Sequence, residues 1–145
     1  MHKHKADILI VEDSEQQAFL VREAMSGEMP DDMHWVPDGA KALDFLNNRA
    51  PYEEAPVPSL VLLDLKVPWC DGFEVLRLIK GDERLRSIPV IVLTGSSERD
   101  EIEKCYDLGA NCFISKPDNA EKMKALVTVI NHFWLDVVKL PHEAE

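Results

Sequence analysis

Six residues carry groups that could work together, although the chain separates them widely: Glu12, Asp13, Asp64, Thr94, Gly95 and Lys116. They follow short apolar runs: ILIV at 8–11, LVLL at 60–63, VIVL at 90–93 and CFI at 112–114. A carboxylate that ends an uninterrupted hydrophobic run, as Asp64 does, is expensive unless something there uses it. Three carboxylates gathered at one point repel one another. A hard divalent cation relieves that repulsion, and Mg²⁺ suits a few carboxylates with several retained waters. Lys116 adds a second positive charge. Carboxylates, metal and lysine around one point make a phosphoryl-handling site: the cations neutralise equatorial oxygens while a carboxylate oxygen attacks in line. Asp64 is the expected nucleophile, because it ends the most buried run and is held most rigidly. The Thr94 hydroxyl can donate to a phosphoryl oxygen, and the Gly95 backbone can approach closely. Singly, each of these groups is more often a helix cap or a solvated loop residue than part of a site. Their recurrence at successive run ends, in this order, points to a site.

The elements must bring those ends together. Three of the runs are continuous rather than alternating, as expected for strands covered on both faces. Met33 to Val36 is a weaker fifth candidate. Helical patterns lie between the runs. Ser14 to Gln17 reads as a capping box with Gly27 near the far end; Asp71 and Glu74 open a helix that Gly81 stops. Ser97 and Asp100 open another, closed by Gly109, and Asp118 and Glu121 open the last. Ala40 to Leu46 is also helical in pattern. NNRAPYEEAPVPS, after it, reads as an exposed, rather long loop. Strand and helix alternate five times, which implies a parallel sheet with helices on both faces. All strands then point one way, and their C-terminal ends share the edge where open α/β sheets bind ligands.

Composition bounds the function. The chain has 145 residues, 46% hydrophobic and 30% charged, which suits one soluble domain with a sizeable core. A formal net charge of −11 argues against sequence-independent nucleic-acid binding and against docking on an anionic membrane. No apolar run approaches the roughly 18 residues of a membrane span. The start, MHKHKADILIVED, lacks the features of a secretory signal. A cytoplasmic protein is expected. Three cysteines, Cys70, Cys105 and Cys112, without a CxxC pair make neither a disulfide framework nor a zinc site. Cys105 and Cys112 read as small buried residues. His2 and His4 could capture a metal only as part of a terminal tail.

The pieces VED at 11–13, LLDLKVPWCDG at 62–72, VLTGSS at 92–97 and GANCFISKP at 109–117 resemble a response-regulator receiver domain of the CheY-like superfamily. The resemblance covers about Asp7 to Asn131. It implies a flavodoxin-like sheet of strand order 2-1-3-4-5 in one domain spanning 1–145, with an extended C-terminal helix and tail over 132–145. It implies that Asp64 accepts a phosphoryl group from a sensor histidine kinase. It implies that Asp13, Asp64 and the Lys66 backbone carbonyl hold Mg²⁺, with Glu12 acting through water. Thr94 and Lys116 then contact the phosphoryl group, and Phe113 takes the position of the switch aromatic, buried when active. Phe113 lacks the hydroxyl of the tyrosine often found there. Lys66 and Ser96 occupy the positions that tune self-dephosphorylation. The tail FWLDVVKLP, 133–141, and the proline-rich loop are similar to single-domain regulators paired with cyanobacterial and bacterial phytochromes, which implies a phytochrome-type kinase.

Met123, Leu126, Val127, Ile130, Trp134, Val137 and Val138 follow a core-facing helical stripe, with Ala125, Val129, Phe133 and Leu135 partly off it. The second surface reads either as a homodimer or kinase-docking face, or as a tail folded back on its own domain. No output domain is expected, so signalling passes to a downstream protein partner or a phosphotransfer protein. Three alternatives stand beside this reading. A haloacid-dehalogenase-type aspartyl-phosphate phosphatase needs an aspartate where Lys66 stands. A flavin module needs a glycine- and hydroxyl-rich loop where Glu12-Asp13-Ser14-Glu15 stands. A scaffold receiver is never phosphorylated at all. Only self-phosphorylation and self-dephosphorylation chemistry is expected, not that of an enzyme.

Overall fold

The computed structural model describes residues 6–26 and 33–141. The four apolar runs and the weaker one become β1 (Ile8–Val11), β2 (Met33–Val36), β3 (Leu60–Leu63), β4 (Val90–Thr94) and β5 (Cys112–Ser115). All pair in parallel in the order β2-β1-β3-β4-β5. Period-two alternation splits each inner strand between two cores. Leu9, Val11, Val61, Leu63, Val90 and Val92 face one side. Ile8, Ile10, Leu60, Leu62, Ile91 and Leu93 face the other. Burial on both faces is why these strands read as unbroken apolar runs.

Helices α1 (Glu15–Ser26), α2 (Gly39–Leu46), α3 (Gly72–Gly81), α4 (Arg99–Asp107) and α5 (Ala120–Asn131) cover the sheet. Ala42, Phe45 and Leu46 of α2 and Val75, Leu76 and Ile79 of α3 close the first core. Val21 and Met25 of α1 and Met123, Val127 and Ile130 of α5 close the second. Asp71 caps α3 as expected, accepting the Glu74 N–H at 3.0 Å. Gly109 follows α4 with φ of 106°, a conformation that favours glycine.

Two helix starts differ from the sequence reading. Ser97 does not cap α4; the Ser96 hydroxyl accepts the Glu98 N–H at 3.2 Å in a tight turn one residue earlier. Asn119, not Asp118, caps α5, accepting the Lys122 N–H at 2.8 Å. Both residues are good caps, and the helix begins one residue later than the Asp-Glu spacing suggests. Gly27, His2 and His4 lie outside the described residues. The proline-rich loop is less exposed than expected: Tyr52 and Ala55 pack on the first core, with Tyr52 5.4 Å from the Phe45 ring.

The last stripe also changes register. After α5 the chain widens into a π-helical segment, His132–Val137, closed by the Val138 N–H donating to the Phe133 carbonyl at 2.9 Å. The wider turn rotates later residues around the axis. Leu135, expected off the stripe, packs on the second core, while Val137, expected on it, is exposed. Val129 and Phe133 are exposed as the off-stripe surface predicts, and Leu140 is buried.

One polar staple ties α3 to the sheet. The Lys80 ammonium donates to the Arg86 carbonyl at 3.0 Å, the Ile88 carbonyl at 2.7 Å and Asn111 Oδ1 at 3.1 Å. Asn111 Oδ1 also accepts the Val90 N–H at 2.9 Å, so the network fixes the start of β4. Lys80→Met keeps the stem but leaves these acceptors short of a donor. Urea unfolding should show a loss of about 2 kcal/mol. No described helix is long and apolar enough to cross a membrane.

Candidate functional site

The parallel strands deliver their C-terminal residues to one edge. Asp64 leaves β3 with its N–H donating to the Val11 carbonyl at 3.0 Å, so its backbone is an extension of the sheet. Its carboxylate is surrounded by donors. Oδ1 accepts the Thr94 hydroxyl at 2.9 Å and the Lys66 N–H at 3.0 Å; Oδ2 accepts the Lys116 ammonium at 2.7 Å. Glu12 accepts the same ammonium through Oε1 at 2.7 Å and the Ser14 N–H through Oε2 at 3.0 Å. Lys116 is held in turn by its own N–H, which donates to the Thr94 carbonyl at 2.7 Å. Thr94 is fully buried; Glu12 and Asp64 are nearly so.

The charges shift one another. Burial pushes the Asp64 carboxyl up, but the Lys116 ammonium, the Lys66 N–H and the Thr94 hydroxyl together hold it below its ordinary value. Burial dominates at Glu12, whose carboxyl is raised despite Lys116, with the Asp64 charge adding to the rise. Burial lowers Lys116, yet its two carboxylate partners outweigh that and raise it. At neutral pH Asp64 is therefore an anion and Lys116 a cation.

Asp13 completes the acidic group and is the exposed member. One carboxylate oxygen from each of Glu12, Asp13 and Asp64 lies within 4.8 Å of the others. Three hard oxygen donors at that separation fit a divalent cation, and the water-facing Asp13 leaves room for retained waters. Lys66 is exposed on the loop after Asp64.

The loop from Lys66 to Asp71 is moulded by two glycines. A Cβ on Gly39 would lie 1.7 Å from the Cys70 carbonyl oxygen; a Cβ on Gly72 would lie 2.6 Å from the Asp64 carbonyl oxygen. The bare Gly39 N–H donates to the Pro68 carbonyl at 3.1 Å. Trp69 and Cys70 take φ of 54° and 90°, costly for residues with side chains. Gly95, by contrast, has open space around it. Phe113 is half-buried against the first core, and its N–H donates to the Tyr106 hydroxyl at 3.1 Å. Cys105 is fully buried and its thiol is pushed up to about 11, chiefly by burial. Cys70 and Cys112 are half-buried with raised thiols, so none of the three is a reactive thiolate.

Two contacts escaped sequence reasoning. Gln17 looks like the fourth residue of a capping box, and its N–H does donate to the Ser14 hydroxyl at 3.2 Å. Its side chain, however, turns to the site and accepts from Lys116 at 2.5 Å. Trp35 reads as an ordinary strand residue, yet its indole N–H donates to the Glu12 carbonyl at 2.7 Å. Neither contact leaves a trace in local spacing.

A doubly wound parallel sheet with this acidic edge, a buried threonine and a lysine defines a receiver architecture. The family profile for the response regulator receiver domain matches residues 8–128, and the chain belongs to that family. It is 41% identical over 135 residues to response regulator Rcp1 of Synechocystis sp., covering 92% of each chain. It is 38% identical over 138 residues to the probable methanogenesis regulatory protein FilR2 of Methanothrix harundinacea, covering 94% of this chain and 88% of that one. The structure of the phosphorylated cyanobacterial phytochrome response regulator RcpA superposes with a TM-score of 0.90 at 39% identity, covering 97% of this chain and 99% of that one. The Mn²⁺-bound form of Rcp1 gives 0.87 at 40% identity, covering 94% and 99%.

Proposed function

We propose that this receiver takes a phosphoryl group on Asp64 from a sensor histidine kinase of the phytochrome type and passes the signal to a protein partner. The observation that carries the reading is the Asp64 carboxylate, anionic and nearly buried, with Thr94, Lys66 and Lys116 all donating to it. Among the described residues Oδ2 carries only the Lys116 contact, and it is the oxygen free to attack once that ammonium turns. It forms a bond to phosphorus in line with the phosphorus–nitrogen bond of a phosphohistidine. That bond breaks, and the released imidazole nitrogen takes a proton. Lys116 follows the negative charge onto the phosphoryl oxygens, and the Thr94 hydroxyl transfers its hydrogen bond from Oδ1 to one of them. Gly95, with open space about it, leaves the approach clear.

Glu12, Asp13, Asp64 and the Lys66 carbonyl are the residues that would hold Mg²⁺, Glu12 through water. Bound there, the cation supplies charge neutralisation on the phosphoryl oxygens. The Mn²⁺-bound form of Rcp1 and the phosphorylated form of RcpA, both close in fold, support this assignment. The likeness to RcpA, a cyanobacterial phytochrome response regulator, supports the kinase type. Inward movement of Thr94 opens space for the half-buried Phe113 to turn in, a population shift between two packings read on the face of α4, β5 and α5. We assign the chain a single receiver domain with a core over 7–131, an extended C-terminal end, a cytoplasmic location, and no catalytic turnover beyond gain and loss of its own phosphoryl group.

Phosphotransfer tests the reading. A phytochrome-type histidine kinase carrying labelled phosphate should lose label to this protein within minutes in Mg²⁺, far faster than a kinase of another input class. Equal, slow transfer from both would leave the receiver chemistry standing and remove the phytochrome pairing.

A further inference from the structure

Asp13 presents a peculiar problem. It is exposed, no side-chain bond from the described residues aims it, and yet its carboxylate must meet those of Glu12 and Asp64. Beyond its own side-chain rotamer, its direction depends on the peptide bond that precedes it, the one joining Glu12 to Asp13. Both ends of Glu12 are tied to β2. The Glu12 N–H donates to the Val36 carbonyl at 3.1 Å, which continues the ladder by one step. The Glu12 carbonyl finds no further strand backbone and is taken instead by the Trp35 indole at 2.7 Å. Trp35 stands opposite Ile10 in the register, and its ring packs against the second core. The indole is a donor only, and its ring is held by packing, so the bond has one geometry.

From this placement we infer that Trp35 is a positioning residue for the metal site: its indole N–H fixes the plane of the Glu12–Asp13 peptide and so aims the Asp13 carboxylate. The inference rests on the proposed Mg²⁺ site and adds to it a contact from the neighbouring strand. Outer partners of this sort orient ligands as much as the ligands' own bonds do. Trp35→Phe keeps an aromatic ring against the core, and removes the donor together with part of the indole.

Calorimetric titration of Mg²⁺ into wild type, Trp35→Phe and Asp13→Asn tests it, at a temperature where circular dichroism shows all three folded. Asp13→Asn should bind Mg²⁺ too weakly to detect. Trp35→Phe should bind about fivefold more weakly than wild type, the worth of one net hydrogen bond. A merely structural contact would lower the melting temperature of the metal-free variant and leave its affinity within about twofold of wild type; that result overturns the inference and leaves the site intact. Failure of wild type to bind Mg²⁺ overturns the site and the inference together. Should Trp35→Phe not fold, the Trp35 indole N–H resonance of wild type decides. A resonance that moves with the same midpoint as metal binding supports the role, and one indifferent to Mg²⁺ contradicts it.

Discussion

Asp64→Asn should take up phosphoryl groups at least about a thousandfold more slowly than wild type from any donor, small molecule or kinase. An amide oxygen still accepts the Thr94 and Lys66 hydrogen bonds, while the amide NH2 stands where Oδ2 accepted from Lys116 and that one bond is lost. What disappears is the anion. The nucleophile loses its charge, Lys116 loses one of its two carboxylates, and the cation site loses a ligand. Stability should move far less than reactivity, because Lys116 keeps Glu12 at 2.7 Å. Urea denaturation of the metal-free proteins should place the variant within about 1 kcal/mol of wild type. A variant that failed to fold would instead mean that Asp64 is chiefly structural.

Lys116→Met should be the most destabilising of these substitutions. The side chains of Glu12, Asp64 and Lys116 are only 7%, 8% and 10% exposed, and the ammonium is the cation between the two carboxylates. Methionine fills the space of the stem and leaves two buried carboxylates facing each other. Removing one partner of a buried ion pair costs about 3–5 kcal/mol. Mg²⁺ should return part of it, about 2.7 kcal/mol at a hundredfold excess over the dissociation constant, since a cation that binds only the folded chain stabilises it. Removing the ammonium that neutralises Glu12 and Asp64 should lower the dissociation constant for the cation, so at one free Mg²⁺ concentration the variant should gain more than wild type does.

The pH dependence follows from the directions of the shifts. Lys116 is raised when folded, so its contribution is complete below its ordinary 10.5 and is lost as pH climbs through the raised value. Asp64 is lowered, so its contribution is in place above its ordinary 3.8 and is lost as pH falls through the lowered value. Glu12 is raised and works the other way: its ionised form is penalised above 4.5, and acid relieves that penalty. The stability gap between wild type and Lys116→Met should accordingly be widest where both carboxylates are ionised and the pH is still below lysine's ordinary 10.5. It should narrow above the lysine range and, as both carboxylates protonate, in acid.

The three inner strands were readable because burial on both faces forces unbroken apolar runs, and LVLLD ends where its last residue meets the sheet edge. Parallel alternation then obliges Glu12, Asp64, Thr94 and Lys116 to converge, which is how a site assembled from distant residues is visible in a linear string. Other features lie beyond local pattern. Whether Asp118 or Asn119 caps α5 turns on one residue of phase. The π-helical segment at His132–Val137 has no breaker residue to mark it, so Val137 and Leu135 exchange the sides that a steady helical period assigns. Gln17 and Trp35 reach the site across the fold, and nothing in their neighbours announces it. Gly39 is a further case: its need for a bare α-carbon comes from the Cys70 carbonyl, which belongs to a loop far along the chain.

The most direct test is to locate the phosphoryl group itself. Protein incubated with acetyl phosphate and Mg²⁺ is treated with borohydride, which reduces an aspartyl phosphate to homoserine, and the peptides are sequenced by mass spectrometry. Homoserine at position 64 alone, absent when Mg²⁺ is chelated, is the predicted result. Homoserine at position 13, or no conversion anywhere with either acetyl phosphate or a phosphorylated kinase as donor, would contradict the assignment of Asp64 as the phosphoacceptor.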